Sequence, residues 1–316
     1  MVIQVLLLIV GFIVLIKGAD VFVDGASNLA RNFKLSKMLI GLTIVAFGTS
    51  APELAVSIQS ILSGSGEIVI GNVVGSNILN ILLILGCASL IHDLKVKNNT
   101  VKKEIPITMM LTSLLVVLMS DKVLNGSTNV LTRGDGIALI LFFGVFIYYL
   151  ISMMRNKKQE VEEDNEEVYP LVKSIVYTIV GIIAIVLGSD LVVSSATYVA
   201  EAIGISERVI GLTIIALGTS LPELVTSLVA TKKGEYDIAI GNAVGSNIFN
   251  IGIVLGVPVA LFGNIPVGSF NYLDLAFFFA SSLALFTFSI NDYKIKRYEG
   301  VILLIMFVVY YTCILI

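Results

Sequence analysis

Residues 41–86 recur at 211–256, with 26 of the 46 positions identical. Each copy holds a Gly-Thr-Ser-x-Pro-Glu block, ending at Glu53 and Glu223, and a Gly-Asn-x-x-Gly-Ser-Asn-Ile-x-Asn block, running from Gly71 to Asn80 and from Gly241 to Asn250. Two units this similar in one chain restrict the fold to an internally symmetric one. The surroundings of the copies restrict it further. Of the 316 residues, 57% are hydrophobic and 14% charged, whereas soluble domains carry about 25% charged residues. The chain therefore reads as an all-α polytopic membrane protein. Stretches long and apolar enough to cross roughly 30 Å of hydrocarbon lie near 2–23, 38–62, 67–91, 105–120, 135–154, 171–193, 209–231, 236–262, 271–290 and 299–316. These make ten transmembrane helices in two halves of five. The first run has no small-residue cleavage site and carries Lys17 and Asp20 at its far end, so it is expected to be a retained helix and not a signal peptide.

The loop charges predict how the halves are related. With the N-terminus outside, cytoplasmic segments hold 16 of the 20 Lys and Arg residues, the bias of the positive-inside rule. Both termini are then expected outside. An odd number of spans per half inserts the second half upside down, and the loops agree. The loop after span 1 is basic while its counterpart after span 6 has only Arg208; the loop after span 2 has no basic residue while that after span 7 has Lys232 and Lys233. Inverted repeats are common in secondary transporters, with the substrate site near the midplane between the halves. The expected division is a first five-helix repeat over 1–154, an acidic cytoplasmic linker over 155–169, and a second, inverted five-helix repeat over 170–316. The linker is too short and polar to fold alone. Its acidic cluster also lacks the glycine turn and spaced ligands of a calcium loop.

The repeated blocks carry the chemistry. Pro52 and Pro222 fall inside apolar helices, where proline removes a backbone hydrogen bond and forces a kink or break. Carbonyls near Ala46, Phe47 and Gly48, and near Ala216, Leu217 and Gly218, are expected to become available to a cation, since irregular backbone at membrane depth is tolerated where it lines a cavity. Glu53 and Glu223 follow the breaks, and Thr49, Ser50, Thr219 and Ser220 add hydroxyl oxygens. Asn72, Ser76 and Asn80 are spaced to form one helical stripe, and Asn242, Ser246 and Asn250 repeat it. No Lys or Arg lies mid-span to pair with the two glutamates. A lone intramembrane charge is expensive and usually functional. Carboxylates, hydroxyls, amide oxygens and carbonyls are hard ligands, suited to calcium or sodium and not to zinc or copper. His92 beside Asp93 reads as a loop residue, Cys87 and Cys313 as reduced packing residues, and Asp20 as an interfacial residue with Lys17 nearby.

The paired blocks resemble the alpha repeats of the calcium/cation antiporter superfamily, and specifically prokaryotic sodium/calcium exchangers. The resemblance covers nearly the whole chain. It implies that Glu53 and Glu223 coordinate calcium, that Thr49, Ser50, Thr219, Ser220, Ser76 and Ser246 are sodium and calcium ligands, that Ala46 and Ala216 give backbone carbonyls, and that Asn80 is the amide at the centre of the site. It further implies alternating access, in which one site takes about three sodium ions or one calcium while spans 1 and 6 slide across a rigid remainder. Well-known sodium/calcium exchangers carry Asp where this chain has Asn250, and potassium-dependent relatives are associated with an acidic residue there. Proton/calcium exchangers resemble Gly-Asn-x-x-Glu, where this chain has Gly75 and Gly245. The expected function is exchange of sodium for calcium in a cell membrane, with a proton-driven or other-cation antiporter as the alternative. No cofactor, nucleic acid or obligate protein partner is implied. A channel would want a continuous pore, and an enzyme a base beside Ser50 or Ser220; the sequence offers neither.

Overall fold

The computed structural model describes residues 1–155, 168–205, 214, 216–267 and 272–315. Most of the linker, with its acidic cluster, lies outside the described residues, as do Arg208 and the start of span 7. The helices follow the apolar stretches. Span 1 is Val2–Phe33, span 2 is Lys37–Thr49 with Ala51–Leu62, span 3 is Gly66–Ile91, and span 4 is Ile105–Leu118 entered through a π-helical turn at Thr100–Glu104. Span 5 is Arg133–Arg155 and span 6 is Leu171–Ala202; span 7 is described as Ala216–Gly218 and Leu221–Lys232. Span 8 is Tyr236–Phe262, span 9 Tyr272–Ile290 and span 10 Arg297–Leu315. Among the described residues, seven helices, or eight with the bent pair of span 2, are long and apolar enough to cross a membrane on their own. Spans 4 and 7 escape that measure because the apolar helix of span 4 is only 14 residues long and the turn before it carries Lys102, Lys103 and Glu104, while the start of span 7 lies outside the described residues.

Spans 1 and 6 run about ten residues beyond their apolar stretches. Span 1 stops where Lys34 adopts the left-handed conformation, φ 54°, and its N–H reaches the carbonyls of Ala30 and Arg31. The end of span 1 carries polar residues with specific partners. Asp20 and Asp24 pair with Lys233 at 2.8 and 2.6 Å, and Ser27 donates to Glu235 at 2.8 Å. Asp20 is thus paired, but with the loop after span 7 and not with Lys17. Sequence distance hid this contact between the halves.

Spans 1 and 6 pack antiparallel along their length. A Cβ on Gly25 would sit 2.5 Å from the Thr178 nitrogen, one on Gly18 2.8 Å from the Ala184 Cβ, and one on Gly181 2.6 Å from the Phe22 Cα. Leu15, Ala19, Phe22, Ile185 and Val192 belong to a second buried cluster, shared with Ile40 and Val45 of span 2, Ala230 of span 7 and Ile238 and Ala239 of span 8, beside the larger core built on spans 2 to 5 and 8 to 10. Their outer faces are apolar and exposed, as at Leu6, Ile9, Ile179, Ile183 and Leu187, which suits contact with lipid. Gly25→Val is expected to cost about 1–3 kcal/mol by overpacking, read as a lower melting temperature in detergent. Gly144→Ala, where the new methyl meets nothing within 4 Å, is expected to leave it unchanged.

Two short antiparallel ladders tie loops together. β1 (Leu94–Lys95) pairs with β4 (Lys294–Ile295), and β2 (Val130–Leu131) pairs with β3 (Ile265–Pro266). Each joins a loop of one half to a loop of the other. Residues 170 apart also touch directly. Thr112 and Ser282 hydroxyls lie 3.1 Å apart, and the side-chain amides of Asn77 and Asn247 each donate to the other's backbone carbonyl at 3.2 Å. Such self-pairing is what a pseudo-twofold axis through the molecule requires.

Candidate cation-binding site

The break in span 2 falls at Ser50, and the flanking helices differ in direction by 43°. Pro52 sits in the first turn of the second helix, Ala51–Leu62, where its missing N–H costs nothing. Span 7 repeats this, with Pro222 in the first turn of Leu221–Lys232. The proline thus starts a new helix instead of kinking an old one. Glu53 and Glu223 consequently lie in first turns, where the helix dipole favours a negative charge. They are 0% and 1% exposed, respectively, so neither is hydrated by bulk water.

Each glutamate is reached from the other half. Ser50 donates to Glu223 Oε1 at 3.0 Å, Ser220 donates to Glu53 Oε1 at 3.4 Å, and the Ser220 and Ser76 hydroxyls lie 3.2 Å apart. Thr49 donates to Asn242 Oδ1 at 2.9 Å and Thr219 to Asn72 Oδ1 at 3.4 Å. Asn72 Nδ2 in turn donates to the Glu53 carbonyl and the Ser57 hydroxyl, as Asn242 Nδ2 does to the Glu223 carbonyl and Ser227. These two asparagines therefore fasten the broken helices to spans 3 and 8. Ser57 and Ser227 carried no sequence signal of their own beyond their place in the repeat.

Asn80 and Asn250 open π-helical turns, Asn80–Leu85 and Asn250–Leu255. Such turns recur at functional sites because the widened helix re-aims a side chain. The regular spacing predicted a plain helical stripe through these positions; the stripe holds to Ser76 and Ser246 and then widens. The amide nitrogens of Asn80 and Asn250 are engaged, at 2.9 and 3.2 Å, by Asn247 Oδ1 and Asn77 Oδ1. Asn77 and Asn247 belong to the repeated block, yet nothing in their spacing distinguished them as its hub.

What remains is a set of oxygens. Glu53 Oε2, Glu223 Oε2, Asn80 Oδ1, Asn250 Oδ1 and Ser246 Oγ are buried and receive no hydrogen bond from the protein. A buried unsatisfied polar group costs about 1–3 kcal/mol, and more if charged, so five in one crossing of four spans call for a shared positive partner. Among the described residues, no group of three or more His, Cys, Asp or Glu gathers anywhere. The donor set is thus two carboxylates with neutral oxygens, which fits sodium or calcium.

The freed carbonyls are a more mixed case. The Ala46 carbonyl accepts from the Ser50 N–H at 3.0 Å and from the Thr49 hydroxyl at 3.4 Å. The Gly218 carbonyl, which Pro222 leaves without its helical partner, accepts from Ser189 of span 6 at 3.1 Å. That span therefore touches the broken helix at the motif itself. The side chain of Ala216 lies outside the described residues.

Comparison with known proteins decides the family. The sequence profile of the sodium/calcium exchanger protein family matches residues 3–152 and 173–316, one block for each half. The chain belongs to this family. It is a transporter of the cation/calcium exchanger kind and not an enzyme, a multi-pass membrane protein of ten helices. The sodium-calcium exchanger NCX_Mj, soaked with sodium in the absence of calcium, superposes with a TM-score of 0.84 at 36% identity, covering 98% of each chain. The sodium/calcium exchanger MaX1 of Methanosarcina acetivorans is 33% identical over 96% of each chain. Inner membrane protein YrbG of Escherichia coli strain K12 is 38% identical over 81% of this chain and 79% of its own.

Proposed function

We propose that this exchanger moves sodium one way and calcium the other through a single midplane site that opens alternately to the two faces of a cell membrane. The observation that carries the reading is the group of five unsatisfied buried oxygens, two of them from carboxylates, contributed by both halves. Calcium would take Glu53 and Glu223 with the Asn80 and Asn250 oxygens. Sodium would share these and the hydroxyls of Thr49, Ser50, Ser76, Thr219, Ser220 and Ser246, with the carbonyls of Ala46 and Ala216. One calcium, or two or more sodium ions together, offset the carboxylate charge, which supplies the coupling: an unoccupied site leaves two charges buried and resists moving.

The halves divide as repeats over 1–154 and 170–316 joined by the acidic linker 155–169, with both termini outside. Spans 1 and 6 form the moving part. They pack on each other through glycines, present mostly apolar exposed faces to the outside, and meet the broken helix through Ser189. The Lys233 ion pairs and the Ser27–Glu235 bond would hold span 1 on the cytoplasmic side until the cycle turns.

Calcium uptake into proteoliposomes tests the function. Uptake is expected when sodium is loaded inside and absent outside, with no uptake under a proton gradient alone and no potassium requirement. Uptake driven by protons without sodium would favour the proton antiporter instead. If about three sodium ions counter one calcium, each cycle moves one net charge. A potential of 100 mV then biases turnover by about 2.3 kcal/mol. Rates that ignore a valinomycin-clamped voltage would point to an electroneutral cycle.

A further inference from the structure

We propose that Asn77 and Asn247 are positioning residues that fix which atom of the Asn80 and Asn250 amides faces the ion; the inference rests on the exchange reading above. An asparagine amide has nearly the same shape when its oxygen and nitrogen trade places, but a cation binds one orientation and is repelled by the other. Burial alone does not choose between them. The neighbours do, in a short chain of necessity that begins at the backbone.

Asn77 Nδ2 lies 3.2 Å from the Asn247 carbonyl, and Asn247 Nδ2 lies 3.2 Å from the Asn77 carbonyl. A backbone carbonyl only accepts, so both nitrogens must face it. The two Oδ1 atoms are thereby turned outward, toward Asn250 and Asn80. These oxygens also only accept, so Asn250 and Asn80 must present Nδ2 to them, at 3.2 and 2.9 Å. The Oδ1 atoms of Asn80 and Asn250 are then the ones left buried without a donor. Each half's amide ligand is set by the other half. All four residues are at most 1% exposed, so no bulk water substitutes for a missing partner.

The test is a double-mutant cycle on the purified full chain in detergent, reading the rise in melting temperature that calcium or sodium produces. Asn77→Ala removes the acceptor that holds Asn250. It is expected to weaken apparent calcium affinity about threefold to tenfold, the effect of losing one orienting hydrogen bond. In an Asn250→Ala background the same change is expected to cost nothing further, since Asn77 acts through Asn250. Asn247→Ala with Asn80→Ala forms an independent second cycle, with the same expectation, in case the first variant is not recovered folded. A purely structural role would lower the ion-free melting temperature while leaving the ion-induced rise intact, or would give affinity losses that multiply in the double variants. Either result overturns the inference. A wild-type protein whose melting temperature ignores both calcium and sodium would instead count against the exchange reading itself.

Discussion

Glu53→Gln, or Glu223→Gln, is expected to abolish calcium exchange in a protein that still inserts and folds. Glutamine keeps the size of the side chain and an oxygen for Ser220 or Ser50 to reach. What it loses is the charge. With one carboxylate gone, a bound calcium keeps a net positive charge inside a site closed to water. Removing one partner of a buried ionic contact costs about 3–5 kcal/mol, which is a loss of at least two orders of magnitude in affinity. Folding is expected to survive because the ion-free site is relieved of a buried charge. The measurement is sodium-driven calcium uptake normalised to inserted protein, and near wild-type rates in either variant would remove the glutamates from the site.

Asn250→Asp is the second large effect. In the wild type, Asn250 donates to Asn77 Oδ1 at 3.2 Å and keeps its own Oδ1 free. An ionised Asp has no donor for that acceptor and adds a third negative charge beside two others, so the variant is expected to hold the acid form over part of the pH range. At low pH the protonated Asp imitates the amide; as pH rises it ionises, and the site gains a charge that one calcium does not balance. Calcium uptake by the variant should therefore depend on pH more steeply than that of the wild type between about pH 6 and about pH 9, a range reached by buried carboxyls. The added charge also admits potassium, whereas the wild type is expected to need none. An unchanged pH profile in the variant would show that residue 250 does not face the ions.

The spans and the repeat were legible because each is written in many residues at once. Hydrophobic runs mark where helices cross, and the motif breaks follow from Pro52 and Pro222 wherever the rest of the chain goes. The glutamates stood out because a charge in apolar sequence needs a reason. Contacts between the halves were not legible. Asp20 has Lys17 three residues away in sequence and Lys233 beside it in space. The π-turns at Asn80 and Asn250 leave no mark in a spacing of four, and Asn77 becomes a hub only when Asn247 arrives from the other half. Ser189 was unremarkable until span 6 brought it to the Gly218 carbonyl. Local rules read one helix at a time; this site is made where four meet.

The central claim is that one site serves both ions in turn, and isotopic calcium binding to the purified protein tests it most directly. The account predicts one saturable calcium site per chain, emptied competitively by sodium with a steepness showing that more than one sodium replaces each calcium, and absent in Glu53→Gln. Calcium and sodium bound together without affecting each other, or calcium binding that survives in Glu53→Gln, would contradict it.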